Sequence, residues 1–431
     1  MPTTTSESTK VILLFGATGD LAREKIYPAL NALAQRERFT VLGLGRRYAD
    51  HAEFIEKHGM PLPGFSYVRY DTSEHSPEFL ANEILERVDT TSVSLTSYLS
   101  LPPQALPDIL RALSEVHRTI EKTHVLEKAA VVEKPFGHDA LSAEALENQL
   151  LEDYEDDEIF RVDHYLGKTF ILNLLSLRFQ NDLIARVWNR DSIENIQIIV
   201  DEEKGIEGRE GYYAQMGVLT DMVQNHMLQI AALLTMNEPV SFSARDIARA
   251  KYDALRRMTL TRAAFGRYEG SHGRPTAVAA RLDLKGPLSG VPVYLRSGKK
   301  FGERHATIII RFSRACSVCG TDPPANELTI TIQPQMRIEF SFNVKRDDSD
   351  FEVEERRLEY HHASIHQPTD YERIFERILG RDRIIFPTYP EIAEQWRIVD
   401  IDEADVFVYK PGSIPEEIRA FVEADRSSWA R

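Results

Sequence analysis

The chain has 431 residues, 42% hydrophobic and 28% charged, with a formal net charge of −15. That length exceeds what one hydrophobic core organises, so two domains are expected, and the acidic balance argues against nucleic acid and anionic membranes as partners. No apolar run approaches the roughly 20 residues that span a bilayer; the polar start MPTTTSESTK lacks an apolar signal segment, so residues 1–9 read as a disordered lead and the protein as cytoplasmic.

Residues 10–162 read as a doubly wound α/β domain of the Rossmann type. KVILLFG (10–16) is an apolar run of strand length, and DLAREKIYPALNALAQRE (20–37) has helical spacing through Leu21, Ile26, Leu30 and Leu33, with a kink expected at Pro28. Between them lies GATGDLA, spanning Gly16, Ala17, Thr18, Gly19, Asp20, Leu21 and Ala22. Gly16 permits a sharp turn off the strand, Gly19 lets the backbone approach a pyrophosphate, and Asp20 suits the positive helix end. The next strand, FTVLGLG (39–45), ends at Arg46 and Arg47. Two guanidinium groups there suit the 2′-phosphate of NADP, with NAD as the weaker alternative. SVSLTSYLSL (92–101), a helix over QALPDILRALSEVHRTI and a strand in AAVVEKPFG (129–137) follow, placing Lys134 at a strand end, where such folds bind ligands.

The rhythm then changes. RVDHYLGK (161–168) concentrates Arg161, Asp163, His164, Tyr165 and Lys168 at the mouth of an apolar segment, and helices are expected over 164–180 and 213–236. Asp163 could cap the first helix; alternatively that helix start is an anion site beside a catalytic carboxylate, with His164 and Lys168 sharing one face. On the second helix Asp221, Asn225, His226 and Gln229 fall within an arc of roughly 140°, a polar stripe that needs partners. NIQIIVDE, VAARLDL, VPVYLRSG, ATIIIRF, ELTITIQP and MRIEFSFNV are strand-like, and helices are read over 366–381 and 391–400. Residues 163–431 are therefore expected to form a larger α+β domain on a mostly antiparallel sheet. Cys316 and Cys319 lack the second pair a zinc site needs and read as a structural or incidental loop pair. The histidines of YHHASIH (360–366) read as solvated, so no metal is expected.

GATGDLAREKIYP, EKPFG, RVDHYLGK, WNRDSIENIQI, GIEGREGYY, DMVQNHMLQ, VPVYLRSGKK and ELTITIQP occur in this order. Together they resemble the glucose-6-phosphate dehydrogenase family from about residue 10 to the C-terminus. The resemblance implies oxidation of β-D-glucose 6-phosphate at C1 to 6-phosphogluconolactone, with hydride passing to C4 of NADP, at the entry to the oxidative pentose phosphate pathway. It makes His226 the general base, paired with Asp163. It assigns phosphate binding to His164, Tyr165 and Lys168, further substrate contacts to Lys299 and Arg304, and contact with both substrate and cofactor to Lys134. It gives Glu202, Asp221 and Gln333 the sugar hydroxyls, a cis peptide before Pro135, and a homodimer or homotetramer. The chemistry agrees: a neutral imidazole with an ordinary pKa near 6.5 suits removal of the C1 hydroxyl proton, and a carboxylate fixes its tautomer.

The chain is shorter than typical members, with 50–92 and the stretch 264–280 read as trimmed, the latter as a loop. The second, structural NADP of some members is not expected, because only Arg296 stands at such a position while His305, Ile309 and Thr331 replace basic residues. Two other readings remain: the same chemistry on another anionic or amino hexose, and a non-catalytic NADP-sensing paralogue, which loss of His226 or Asp163 would have signalled.

Overall fold

The computed structural model describes residues 8–208, 210–314, 323–348, 352–361, 368–425 and 427–429. It divides into two compact units, Met1–Gly167 with Pro368–Tyr389, and Lys168–Gln367 with Pro390–Arg431.

In the first unit, strands β1 (Thr9–Phe15), β2 (Thr40–Gly45), β3 (Phe65–Arg69), β4 (Ser92–Leu99), β5 (Val125–Glu133) and β6 (Ile159–Val162) form one sheet in the order β3-β2-β1-β4-β5-β6. Every pairing is parallel. Buried runs such as Val11–Phe15 fit a sheet covered on both faces. The strand order reverses between β1 and β4, the switch point at which such sheets bind ligands. β3 and β6 are strands that the sequence reading did not mark. Asp50, Ser76 and Asp139 cap the helices His51–His58, Pro77–Leu85 and Ala140–Leu150, each accepting a first-turn N–H. The kink expected at Pro28 takes the form of a π-helical stretch, Ala22–Ile26, running into the α-helix Tyr27–Leu33. Pro28 is the second residue of that α-helix and offers no N–H to the carbonyls of the π-helical stretch ahead of it.

The sequence reading placed all of 163–431 in the second domain, but Pro368–Tyr389 folds with the first unit. The cause is the apolar stripe of helix Asp370–Leu379, which buries Tyr371, Ile374, Phe375 and Ile378. Phe375 stacks on Tyr98 of β4 with ring centroids 5.1 Å apart. Beyond the helix, Arg381 donates to the Lys128 carbonyl at 3.0 Å and to Ser94 Oγ at 3.1 Å.

The second unit carries β7 (Ile193–Asp201), β8 (Met258–Tyr268), β9 (Ala277–Leu284), β10 (Val293–Gly298), β11 (His305–Phe312), β12 (Glu327–Gln333), β13 (Arg337–Lys345), β14 (Val353–His361) and β15 (Phe407–Tyr409). Their order is β14-β13-β12-β11-β7-β10-β9-β8-β15, antiparallel except at β7/β10 and β8/β15. The stretch 264–280 is thus mostly hairpin, since Gly266 of β8 pairs with Ala277 of β9. Small Ala277 and Ala279 pack there into a cluster with Tyr268, Tyr294, Phe301 and Tyr409.

Two expected helices differ. The first starts at Phe170, and residues 164–167 form a turn. Asp163 Oδ1 accepts the Tyr165 N–H at 2.9 Å, and Gly167 lies so close to the Asp370 carbonyl that a Cβ would sit 2.8 Å from it. His164 and Lys168 therefore do not share a helical face. The second breaks at Gly217 (φ 61°), becomes π-helical over Leu219–Met227, and resumes as the α-helix Leu228–Thr235. Cys316, Cys319, His362 and His366 lie outside the described residues.

Candidate active site

The glycine turn is built by its backbone. Gly16 has φ 80°, and a Cβ there would lie 2.2 Å from the Ser100 carbonyl oxygen, so only glycine fits. Gly16 and Ala17 donate to the Leu44 carbonyl, and the Gly19 N–H closes the turn on the Gly16 carbonyl at 2.9 Å. Tyr27 pins Ala17 from below, donating to its carbonyl at 2.6 Å. Asp20, exposed at the helix start, pairs with Arg23 rather than facing inward. Leu21 is partly buried in the first helical turn. Beside the turn lies a cavity of about 750 Å³ lined by Gly16, Thr18, Gly45, Arg46, Arg47, Tyr70 and Asp71, among others. Both arginines are exposed there, and Arg46 Nη1 lies 3.6 Å from Asp71 Oδ2. Hydrogen bonds from the Ser73 backbone and hydroxyl, and then Arg46, hold the Asp71 carboxyl below its ordinary value, so it stays charged. The sequence reading named only Arg46 and Arg47 in this place. Asp71 was missed because it follows β3, the strand not recognised.

Lys134 and Asp163 leave the carboxyl ends of adjacent parallel strands. Glu133 of β5 pairs with Val162 of β6, and each site residue comes next in its chain. The Lys134–Pro135 peptide is cis, as expected. Asp163 is buried, and its Oδ1 organises the turn that carries His164 and Tyr165, whose rings meet edge to face at 5.0 Å. Arg161 belongs to the scaffold: fully buried, it grips Glu147 with Nη2 at 2.5 and 2.7 Å from its two oxygens.

The second unit repeats this device. Gly298 of β10 pairs in parallel with Asp201 of β7, and Lys299 and Glu202 come next. Lys299 is buried; its ammonium pairs with Glu202 and lies 3.4 Å from Asp221 Oδ2 and 5.4 Å from the Tyr213 ring centroid. The structure thus brings Lys299, Glu202 and Asp221 together. Lys168 is partly buried ahead of helix Phe170–Phe179, Arg304 is exposed just before β11, and Gln333 ends β12 at a second cis peptide, Gln333–Pro334.

His226 is completely buried within the π-helical segment. Such a segment shifts carbonyls out of the regular ladder. Here the Asn225 carbonyl accepts from Gln395 Nε2 at 3.1 Å, while the Asn225 side chain donates to the Thr220 carbonyl at 2.8 Å. One turn on, Gln229 Oε1 accepts from Lys251 at 3.0 Å, and Lys251 pairs with Glu391 at 2.8 Å. The partners that the polar stripe needs are thus supplied, for Asn225 and Gln229, by the protein itself. The polar residues of helix Tyr389–Ile398 were the available signal.

A doubly wound sheet with a glycine turn at its switch point, joined to a second unit with a charged strand-end cluster, defines a nicotinamide dinucleotide-binding oxidoreductase. Residues 13–173 match the family described as glucose-6-phosphate dehydrogenase, NAD binding domain, and residues 175–430 match its C-terminal domain. A glucose-6-phosphate 1-dehydrogenase of Streptococcus pneumoniae is 31% identical, over 98% of this chain and 97% of that one. A solved glucose-6-phosphate dehydrogenase in complex with its substrate glucose-6-phosphate superposes with a TM-score of 0.87 at 28% identity, over 99% of both chains. The glucose-6-phosphate 1-dehydrogenase of Mycobacterium avium gives 0.85, also at 28% identity and 99% coverage of both. The chain belongs to the glucose-6-phosphate dehydrogenase family.

Proposed function

We propose that the protein catalyses NADP-dependent oxidation of β-D-glucose 6-phosphate at C1 to 6-phosphogluconolactone, the entry step of the oxidative pentose phosphate pathway. The observation that carries this reading is the match along both halves of the chain, including a relative solved with glucose 6-phosphate bound. The cradle at Gly16, which a Cβ would fill, and the exposed Arg46 and Arg47 in the adjoining cavity suit a dinucleotide with a 2′-phosphate. When bound, NADP supplies the nicotinamide C4 that accepts the hydride.

The remaining steps fall to the chain's own groups. His226 takes the C1 hydroxyl proton as the hydride departs, so no full positive charge accumulates at C1. Asp163 supplies the negative charge that favours the imidazolium and fixes the tautomer and orientation of the ring. His164, Tyr165 and Lys168 hold the 6-phosphate, with Arg304 as a further cation. Glu202, Asp221 and Gln333 take the sugar hydroxyls, and Lys299, a further substrate contact, offsets part of the negative charge of Glu202 and Asp221. Lys134 serves both ligands. The protein acts in the cytoplasm as a homodimer or homotetramer. Among the described residues, no helix is long and apolar enough to cross a membrane.

Initial rates of reduced-cofactor formation with glucose 6-phosphate, and NADP or NAD in parallel, test the reading. His226→Asn, purified identically, should retain cofactor affinity and lose about 10²–10⁴-fold in kcat. Well-folded wild type that binds NADP but leaves glucose 6-phosphate unoxidised would move the assignment to another hexose.

A further inference from the structure

Glu133, at the carboxyl end of β5, is a titratable group that the proposed chemistry does not use. Its Oε1 accepts from the hydroxyl of Tyr98, on β4, and from that of Tyr371, on helix Asp370–Leu379, the latter at 3.0 Å. Both phenols are buried. Lys134 follows it directly, and Asp163 leaves the partner strand one residue beyond the Glu133↔Val162 pair. Glu133 therefore feels the charges of Lys134 and Asp163, while Tyr371 also faces Asp163 and Asp370. The contrast with Arg161 is instructive: Arg161 is neutralised by Glu147 and Asp156 and exerts little net field. Phenols donate hydrogen bonds but carry no charge, so they hold the Glu133 carboxylate without neutralising it.

We propose that Glu133, gripped by Tyr98 and Tyr371, is a positioning residue for the oxidation: it fixes the strand end from which Lys134 emerges and sets a second negative charge beside Asp163. The inference rests on the reading above for the roles of Lys134 and Asp163. Burial of the carboxyl end, opposed by the two phenols and by Lys134, pushes this carboxyl up to about 7. Glu133 therefore ionises across neutral pH, the range in which an ordinary imidazole also titrates, so part of its charge is present along the acid limb. Its charge adds to that of Asp163 and so raises the proton affinity of any base that Asp163 assists. Removing it should move the acid limb of the activity profile to lower pH. A purely structural residue would lower stability and leave the limb where it was.

The test compares wild type, Glu133→Gln and Tyr371→Phe. Glutamine keeps an oxygen for both phenols and removes the charge; phenylalanine removes one donor and makes the carboxyl harder to ionise. The kcat profile for glucose 6-phosphate oxidation is measured across neutral pH, together with NADPH affinity by fluorescence titration. The expected result is an acid limb lower by about half a pH unit in Glu133→Gln, and a smaller shift the same way in Tyr371→Phe. Superimposable limbs in two folded, active variants would overturn the proposal. Absence of turnover by wild type would count against the sugar assignment, and NADPH affinity then decides. Wild-type affinity should weaken several-fold from pH 6 to pH 8, roughly the span over which Glu133 ionises, while Glu133→Gln stays level. Coincident affinity curves would equally overturn the proposal.

Discussion

Arg46 and Asp71 face each other across 3.6 Å in the cavity beside the glycine turn. An arginine at the end of β2 attracts a 2′-phosphate, while a charged carboxylate beside it repels the same group and offers an acceptor to a free ribose hydroxyl. Cofactor preference should follow the balance of these two residues. Arg46→Ala removes a charge-assisted contact of about 1.5–3 kcal/mol, so kcat/KM for NADP should fall roughly 10- to 100-fold while that for NAD changes little. Asp71→Asn should act in the opposite sense and sharpen the preference for NADP. Parallel steady-state assays of both variants with both cofactors decide the point; equal losses for the two cofactors in Arg46→Ala would remove that residue from 2′-phosphate recognition.

At the scale of elements, the two site-bearing strand pairs, β5/β6 and β7/β10, are both parallel and both deliver charged residues just beyond their ends. The apolar runs and the ordered motifs made β5, β7 and β10 legible. Other features were not, and each has a physical cause. β6 is only four residues long, too short for periodicity to register. The turn 164–167 looks helical in pattern because its neighbours are apolar, but the Asp163 side chain satisfies the local N–H in helix-breaking fashion. The π segment depends on tertiary partners: Gln395 accounts for the Asn225 carbonyl, and the Gln229–Lys251–Glu391 chain locks the following turn. Lys251 and Glu391 are 3% and 0% exposed by side chain. Removing Lys251 takes away the counter-ion 2.8 Å from a fully buried carboxylate, at a cost of about 3–5 kcal/mol. Lys251→Met should therefore lower the thermal midpoint markedly, and Lys251→Met with Glu391→Gln should recover much of the loss. Calorimetry on the three proteins checks this; a double variant no more stable than Lys251→Met would show that the pair is not the source of the effect.

At the scale of the molecule, a net charge of −15 stands against ligands that are themselves anions. Two fields of different range compete. The local one comes from Arg46 and Arg47, which line the cavity beside the glycine turn. The global one comes from the acidic surplus of the chain as a whole. Salt distinguishes them, because the Debye length contracts from about 30 Å at 0.01 M to about 8 Å at 0.15 M. That change removes most of the distant repulsion and leaves most of the contact attraction. Association of NADPH should therefore accelerate, by about twofold or more, over this range, whereas a protein that steers anions with its whole surface would slow down. Stopped-flow fluorescence at the two ionic strengths measures the difference directly. Wild type and Arg46→Ala together separate the fields: the variant should bind more slowly at both salt concentrations and show the steeper rise, since less attraction remains to be screened. A rate that falls with salt in wild type would mean that the acidic surface lies too far from the cavity to be felt there.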